Sequence, residues 1–187
     1  MTAPTADVAA LRKRLLEILC QQSVRTGEFT LASGKKSDFY VDGKMTTLHP
    51  EGLYLTGRLI FEQLRGRGFG AQGGLTLGAD PMAAAIAAVS WLEGEPLPAF
   101  IVRKASKGHG TTKQVEGLLP TDGTPVAVIE DVTTTGGSAL KAVQAVREAG
   151  ATADLVITLV DREEGGTANL AEHGVALEAV FTRSEIL

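Results

Sequence analysis

The chain has 187 residues, of which 44% are hydrophobic and 21% charged, so it is long enough for one substantial core, and one domain is the default. A formal net charge of −4 gives no electrostatic reason to expect a nucleic-acid partner, and a single cysteine, Cys20, excludes an internal disulfide and, beside only three histidines, argues against a four-ligand zinc centre. The N-terminus lacks the basic start and apolar run of a signal peptide, and no uncharged stretch approaches the ~20 apolar residues of a membrane span, so a soluble cytoplasmic protein is expected.

In chain order, residues 6–22 read as an amphipathic helix with Val8, Leu11, Leu15, Ile18 and Leu19 on one side. Cys20, near its end, is expected to be a small buried residue, since no partner base accompanies it. Residues 27–42 hold two short alternating segments around Ser33-Gly34-Lys35-Lys36, a hairpin lying outside a parallel core with Phe39 and Tyr40 on its return strand. Such a hairpin either hoods a flat base or simply packs. His49-Pro50 opens a helix to about Arg65, with Leu53, Ile60, Phe61 and Leu64 on its buried side, and Gly66 and Gly68 stop it. Residues 73–77 read as a short buried strand, and Asp80 with Pro81 as the N-cap and first turn of an Ala-rich helix over 81–92. Trp91, at that helix's end, is expected to anchor a core or an interface.

A strand over 98–102 delivers the stretch Arg103-Lys104-Ala105-Ser106-Lys107-Gly108-His109-Gly110-Thr111-Thr112-Lys113. Its cations stand among small residues with no acid between them, so mutual repulsion and glycine entropy should keep it mobile until a polyanion such as pyrophosphate pairs with several side chains.

The central stretch runs from Pro125 to Ser138. An apolar β-branched run reaches the adjacent carboxylates Glu130 and Asp131, passes through Val132-Thr133-Thr134-Thr135-Gly136-Gly137-Ser138, and enters a helix near Ala139. In an open α/β sheet, ligands collect beyond such a strand end, where the next helix offers unpaired N–H groups to an anion. A phosphate fits above Thr134 to Ser138, while Glu130 and Asp131 suit vicinal hydroxyls or a metal-bound ligand; phosphate plus diol suggests a ribose phosphate. Neither a Walker loop nor a dinucleotide fingerprint is present.

The following helix places Leu140, Val143 and Val146 at three-residue spacing and stops at Gly150. A buried strand over 154–160 ends in Asp161-Arg162-Glu163-Glu164, so Arg162 stands at a strand's C-terminal edge, where it either grips a ligand carboxylate bidentately or pairs with Asp161 or Glu163. A short helix over 168–172, terminated around His173 and Gly174, and a strand over 175–181 close the chain. The alternation from Gly73 onward predicts a parallel α/β sheet flanked by helices.

The segment from Val128 to Ser138 resembles the phosphoribosyl-pyrophosphate motif of type I phosphoribosyltransferases. With residues 27–42 and the pattern Arg-Lys-x-x-Lys-x-His-Gly at 103–110, the chain is similar to the orotate phosphoribosyltransferase family over about Gly27 to Arg162. The resemblance implies a type I phosphoribosyltransferase fold in one domain, with a small hood from about residues 1–45, and transfer of ribose 5-phosphate from phosphoribosyl pyrophosphate to orotate, giving orotidine 5'-monophosphate in pyrimidine biosynthesis. It also implies magnesium, carried mainly by the substrate's pyrophosphate and ribose hydroxyls, and a homodimer in which the basic loop reaches the neighbouring site. By the same likeness Arg103, Lys104, Lys107 and His109 are catalytic and bind the donor, together with Glu130, Asp131 and residues 132–138, while Thr134 and Arg162 contact orotate.

The chain departs from many bacterial members where they carry lysines, at Ala32 and at Met82; Lys35, Lys36 and Lys44 are the candidate substitutes, each otherwise an ordinary solvated lysine. Two rival readings are a phosphoribosyltransferase for another base, and a regulator that senses the donor without turnover. The negative net charge and intact basic loop weigh against the second.

Overall fold

A computed structural model describes residues 7–30, 36–104 and 114–187. Lys107 and His109, like Ala32 and Lys35, lie outside the described residues. The chain opens with α1 (Val8–Gln22), whose first turn is capped by Asp7, and an antiparallel hairpin of β1 (Val24–Thr30) and β2 (Lys36–Val41). After α2 (Lys44–Thr47) comes α3 (Pro50–Leu64), where His49 is the N-cap and its Nδ1 accepts from the Gly52 N–H.

The main sheet contains β3 (Ala71–Leu75), β4 (Ala99–Val102), β5 (Val115–Gly117), β6 (Pro125–Thr133), β7 (Thr152–Asp161) and β8 (Ala176–Thr182) in the order β5-β4-β3-β6-β7-β8. All its pairings are parallel except the short edge pairing of β5 with β4. Helices α4 (Ala79–Leu92), α5 (Gly137–Glu148) and α6 (Gly166–Ala171) make the crossovers, and α7 (Arg183–Ile186) ends the chain.

The central strands are apolar on both faces because both are covered. Ala127 and Ile129 of β6 and Ile157 and Leu159 of β7 enter a core with Leu15, Ile60, Phe61, Met82 and Ile86. Their neighbours Val126, Val128 and Val156 enter another with Val143, Val146 and Leu170. The chain moves outward from β3 to β4 and then returns to place β6 on the other side of β3. That reversal opens a crevice beyond the C-terminal ends of β3 and β6. Close approach there depends on glycine, since a Cβ at Gly74 would stand 2.0 Å from the Ile129 carbonyl oxygen.

Several sequence expectations need correction. The strand expected over 73–77 runs from Ala71 to Leu75, because its pairing begins at Ala71 with Val126 and ends at Leu75 with Val102. The chain therefore turns early, α4 starts at Ala79, and its N-cap is Gly78 rather than Asp80. Asp80 lies within the first turn, half-buried, with Oδ1 lacking a partner among the described residues and its pKa raised by desolvation. Trp91 is 72% exposed, so of the two roles expected of it, core or interface anchor, packing in a core of the described residues is excluded, and Cys20 is exposed on α1. Leu53 is half-buried, and α5 and α6 each begin two residues before their expected starts. The short elements α2, β5 and α7 carry too few residues to show a period, and sequence reading missed them.

Candidate functional site

The central strand runs through both carboxylates to Thr133 before the loop begins. Beyond it lies a cavity of about 270 Å³ lined by Glu130, Val132, Thr133, Thr134, Thr135, Gly136, Gly137, Ser138, Ala139 and Lys141. Its floor is the start of α5. Gly136, the N-cap, has φ +78°, a left-handed conformation suited to glycine, and contributes no side chain to the cap. The first turn of α5 holds no acidic residue, so its N–H groups and the positive helix end are directed at whatever enters. The loop is braced from behind, where Asn169 Nδ2 donates to the Thr135 carbonyl at 2.7 Å and a Cβ on Gly166 would stand 2.6 Å from Thr133 Cγ2.

The two acids occupy different surroundings. Glu130 is buried, its Oε2 has no hydrogen-bond partner among the described residues, and burial, seconded by the Asp131 charge, pushes its pKa up to about 8. Asp131 is half-buried and meets the turns that open two other helices. A Cβ at Gly78 would stand 2.3 Å from Asp131 Oδ1, and one at Gly43 would stand 3.2 Å from Oδ2. Lys44 follows Gly43 and pairs with Asp42 at 2.7 Å. That bond is the chief reason its pKa is raised, with smaller contributions from the Asp131 and Tyr40 charges.

Arg162 stands beside the same strand end, its backbone N–H donating to the Thr133 carbonyl at 2.9 Å. The side chain is 4% exposed, and its Cζ lies 4.3 Å from the centroid of Phe39, a residue of the hairpin's return strand. Arg183 packs on the same ring at 4.6 Å. Of the two outcomes open for the hairpin aromatics, Phe39 packs fully into the core while Tyr40 stays 42% exposed. Arg162 pairs with neither Asp161 nor Glu163 in the ion pair described; its Nε and Nη2 donate to Glu164 Oε1 at 2.9 and 2.7 Å. Asp161 instead accepts from the Glu163 N–H, and Glu163, at φ +56°, accepts from the backbone and hydroxyl of Ser184.

The structure thus gathers Glu130, Asp131, residues 132–138 and Arg162 at one end of the sheet. Lys104 borders a neighbouring crevice of about 440 Å³ that shares Ser138 and Lys141 with the first. Arg103 lies at the root of the basic loop, its N–H on the Gln114 carbonyl and its guanidinium 3.5 Å from Glu116. Met82 is fully buried in the core, where a lysine ammonium would have no water, and Lys36 is exposed. Sequence reasoning missed Gly43, Gly78 and Glu164. For the two glycines the available signal was a glycine immediately before a helix start, and for Glu164 a second acid directly after Arg162-Glu163.

No family model matches the chain. The chain is 50% identical over 182 residues to the orotate phosphoribosyltransferase of Bradyrhizobium sp. strain BTAi1, covering 96% of this chain and 98% of that protein. Among solved structures it resembles the orotate phosphoribosyltransferase of Mycobacterium tuberculosis H37Rv, with 40% identity and a TM-score of 0.82 over 94% of this chain and 98% of that one. The same Mycobacterium enzyme in complex with 5-phospho-alpha-D-ribosyl 1-diphosphate aligns at 36% identity and a TM-score of 0.77, again over 94% and 98% of the two chains.

Proposed function

The chain belongs to the orotate phosphoribosyltransferase family, and on that premise we propose how its residues divide the work. It is a pentosyltransferase that moves the ribose 5-phosphate group from phosphoribosyl pyrophosphate to orotate, giving orotidine 5'-monophosphate and pyrophosphate in pyrimidine biosynthesis. The observation that carries the assignment of residues is the convergence of an uncapped helix start, an acid pair and a buried arginine on one strand end.

The 5'-phosphate sits in the loop from Thr134 to Ser138, neutralised by the α5 N-terminus with Lys141 at its edge. Glu130 and Asp131 accept from the ribose hydroxyls, which supply the missing partner of Glu130 Oε2. Orotate lies between this loop and the hairpin, its carboxylate on Arg162 and its ring edge on Thr134. The bond from ribose C1 to the diphosphate oxygen breaks with its electron pair on the diphosphate, and a ring nitrogen of orotate supplies the pair for the new bond and releases its own proton as that bond forms. Negative charge grows on the leaving group, so cations and exclusion of water lower the barrier. Lys107 is assigned first to that charge, helped by Arg103, Lys104 and His109, with Lys44 on the Asp131 side in place of the lysines absent at Ala32 and Met82.

Among the described residues no three acidic, histidine or cysteine side chains cluster to cage a metal. Glu130 and Asp131 are the oxygen donors that would face a magnesium ion brought in on the substrate, and such an ion would neutralise diphosphate charge. The hood is assigned mainly to residues 1–45 of a single domain, and the enzyme is read as a cytoplasmic homodimer in which the basic loop serves the neighbouring site. No helix of the described residues is long and apolar enough to cross a membrane. Pyrophosphate release measured with phosphoribosyl pyrophosphate and each free base in turn tests the reading: release should depend on orotate, and release with adenine but not orotate would overturn it.

A further inference from the structure

The base side of the site holds one carboxylate to which the chemistry above gives no task. Glu164 Oε1 accepts from both Nε and Nη2 of Arg162, at 2.9 and 2.7 Å. The Arg162 guanidinium is buried and its plane is restrained separately by the Phe39 ring, 4.3 Å from Cζ. A planar guanidinium presents itself to a carboxylate correctly only if both its tilt and its rotation within the plane are set. The aromatic face restrains the tilt, and the Glu164 edge restrains the rotation. Glu164 directly precedes Gly165, the left-handed N-cap of α6 at φ +94°, and its side chain is 26% exposed.

We propose that Glu164 is a positioning residue for base recognition, holding the Arg162 guanidinium in the one rotation that meets the carboxylate of an acidic pyrimidine. The proposal rests on Arg162 being the carboxylate's partner. Without Glu164 the guanidinium loses two in-plane hydrogen bonds, and restoring that order when the ligand arrives opposes binding. Glu164 also repels an incoming anion, so the alternative is that it competes with the ligand for Arg162; the two roles move affinity in opposite directions.

The test is steady-state kinetics of the full chain with Glu164→Ala, Glu164→Gln and Arg162→Ala, with thermal melting to verify folding. Positioning predicts that Glu164→Ala raises the orotate KM about tenfold, that kcat and the KM for the donor change far less, and that Glu164→Gln, which keeps an acceptor oxygen, recovers most of the loss. If Glu164→Ala melts out, Glu164→Asp, which withdraws the acceptor by one methylene, should raise the same KM. An orotate KM that falls or stays constant in the folded Ala or Asp variant overturns the proposal. An orotate KM unchanged in Arg162→Ala overturns instead the assignment of Arg162 on which it stands.

Discussion

Asp131 and Gly78 touch so closely that one added methyl group would collide with the carboxylate, standing 2.3 Å from its Oδ1. Gly78 has φ −59°, so alanine there meets no backbone penalty and the substitution acts through that collision alone. Gly78→Ala is therefore expected to raise the KM for phosphoribosyl pyrophosphate about tenfold or more by displacing Asp131, with the folded state retained. Kinetics beside circular dichroism checks this, and an unchanged KM would remove Asp131 from the ribose site.

Glu130 makes stability depend on pH. Its folded pKa of about 8 is above the ordinary carboxyl value of 4.5, so the native state holds a proton that the unfolded chain releases. This contribution is fully present below about pH 4.5 and is lost as pH rises through about 8. Glu130→Gln cannot ionise, so the variant should gain stability relative to the parent as pH rises between those limits. Urea denaturation of both proteins at pH 5, 7 and 8.5 should show the difference widening by roughly 1 kcal/mol or more. Parallel curves would mean that Glu130 is ionised in the empty site.

The elements that carry the site were legible because their signals are local. The β-branched run from Pro125 and the Thr/Gly loop after it announced strand, loop and helix, and the carboxylates and Arg162 came with the strands' C-terminal ends. What stayed hidden depends on contacts distant in sequence. Asp80 before Pro81 has the composition of an N-cap, yet β3 stops pairing with β6 at Gly73 and with β4 at Leu75, and the helix already starts at Ala79. Trp91 was open to a core or an interface because its chemistry does not say which, and only the fold shows that it is 72% exposed at the end of α4. The choice of Glu164 over its nearer neighbours as partner for Arg162 follows from Asp161 and Glu163 being engaged by backbone and by Ser184.

Lys44 offers a third test. It sits one residue beyond the Gly43 contact with Asp131 and holds Asp42 at 2.7 Å, so its charge offsets the local acids. Its removal should leave the donor's diphosphate facing uncompensated carboxylates. Lys44→Ala is expected to raise the KM for phosphoribosyl pyrophosphate about three- to tenfold, more steeply at low salt, with a smaller change for orotate. An effect confined to orotate would place Lys44 elsewhere in the reaction.

The sharing of sites between subunits can be decided by mixing two damaged chains. Lys107→Ala removes the leading cation of the basic loop, and Asp131→Asn removes a ribose contact, so each homodimer should be nearly inactive. If the loop of one subunit serves its neighbour, a mixed dimer has one site carrying both lesions and one carrying neither. Random reassortment of equal amounts makes about half the dimers mixed, so recovery should approach about a quarter of the parent activity. If each loop serves its own subunit, every site in the mixed dimer keeps one lesion and activity stays at the level of the homodimers. Verified heterodimers without recovery would therefore confine the loop to its own chain.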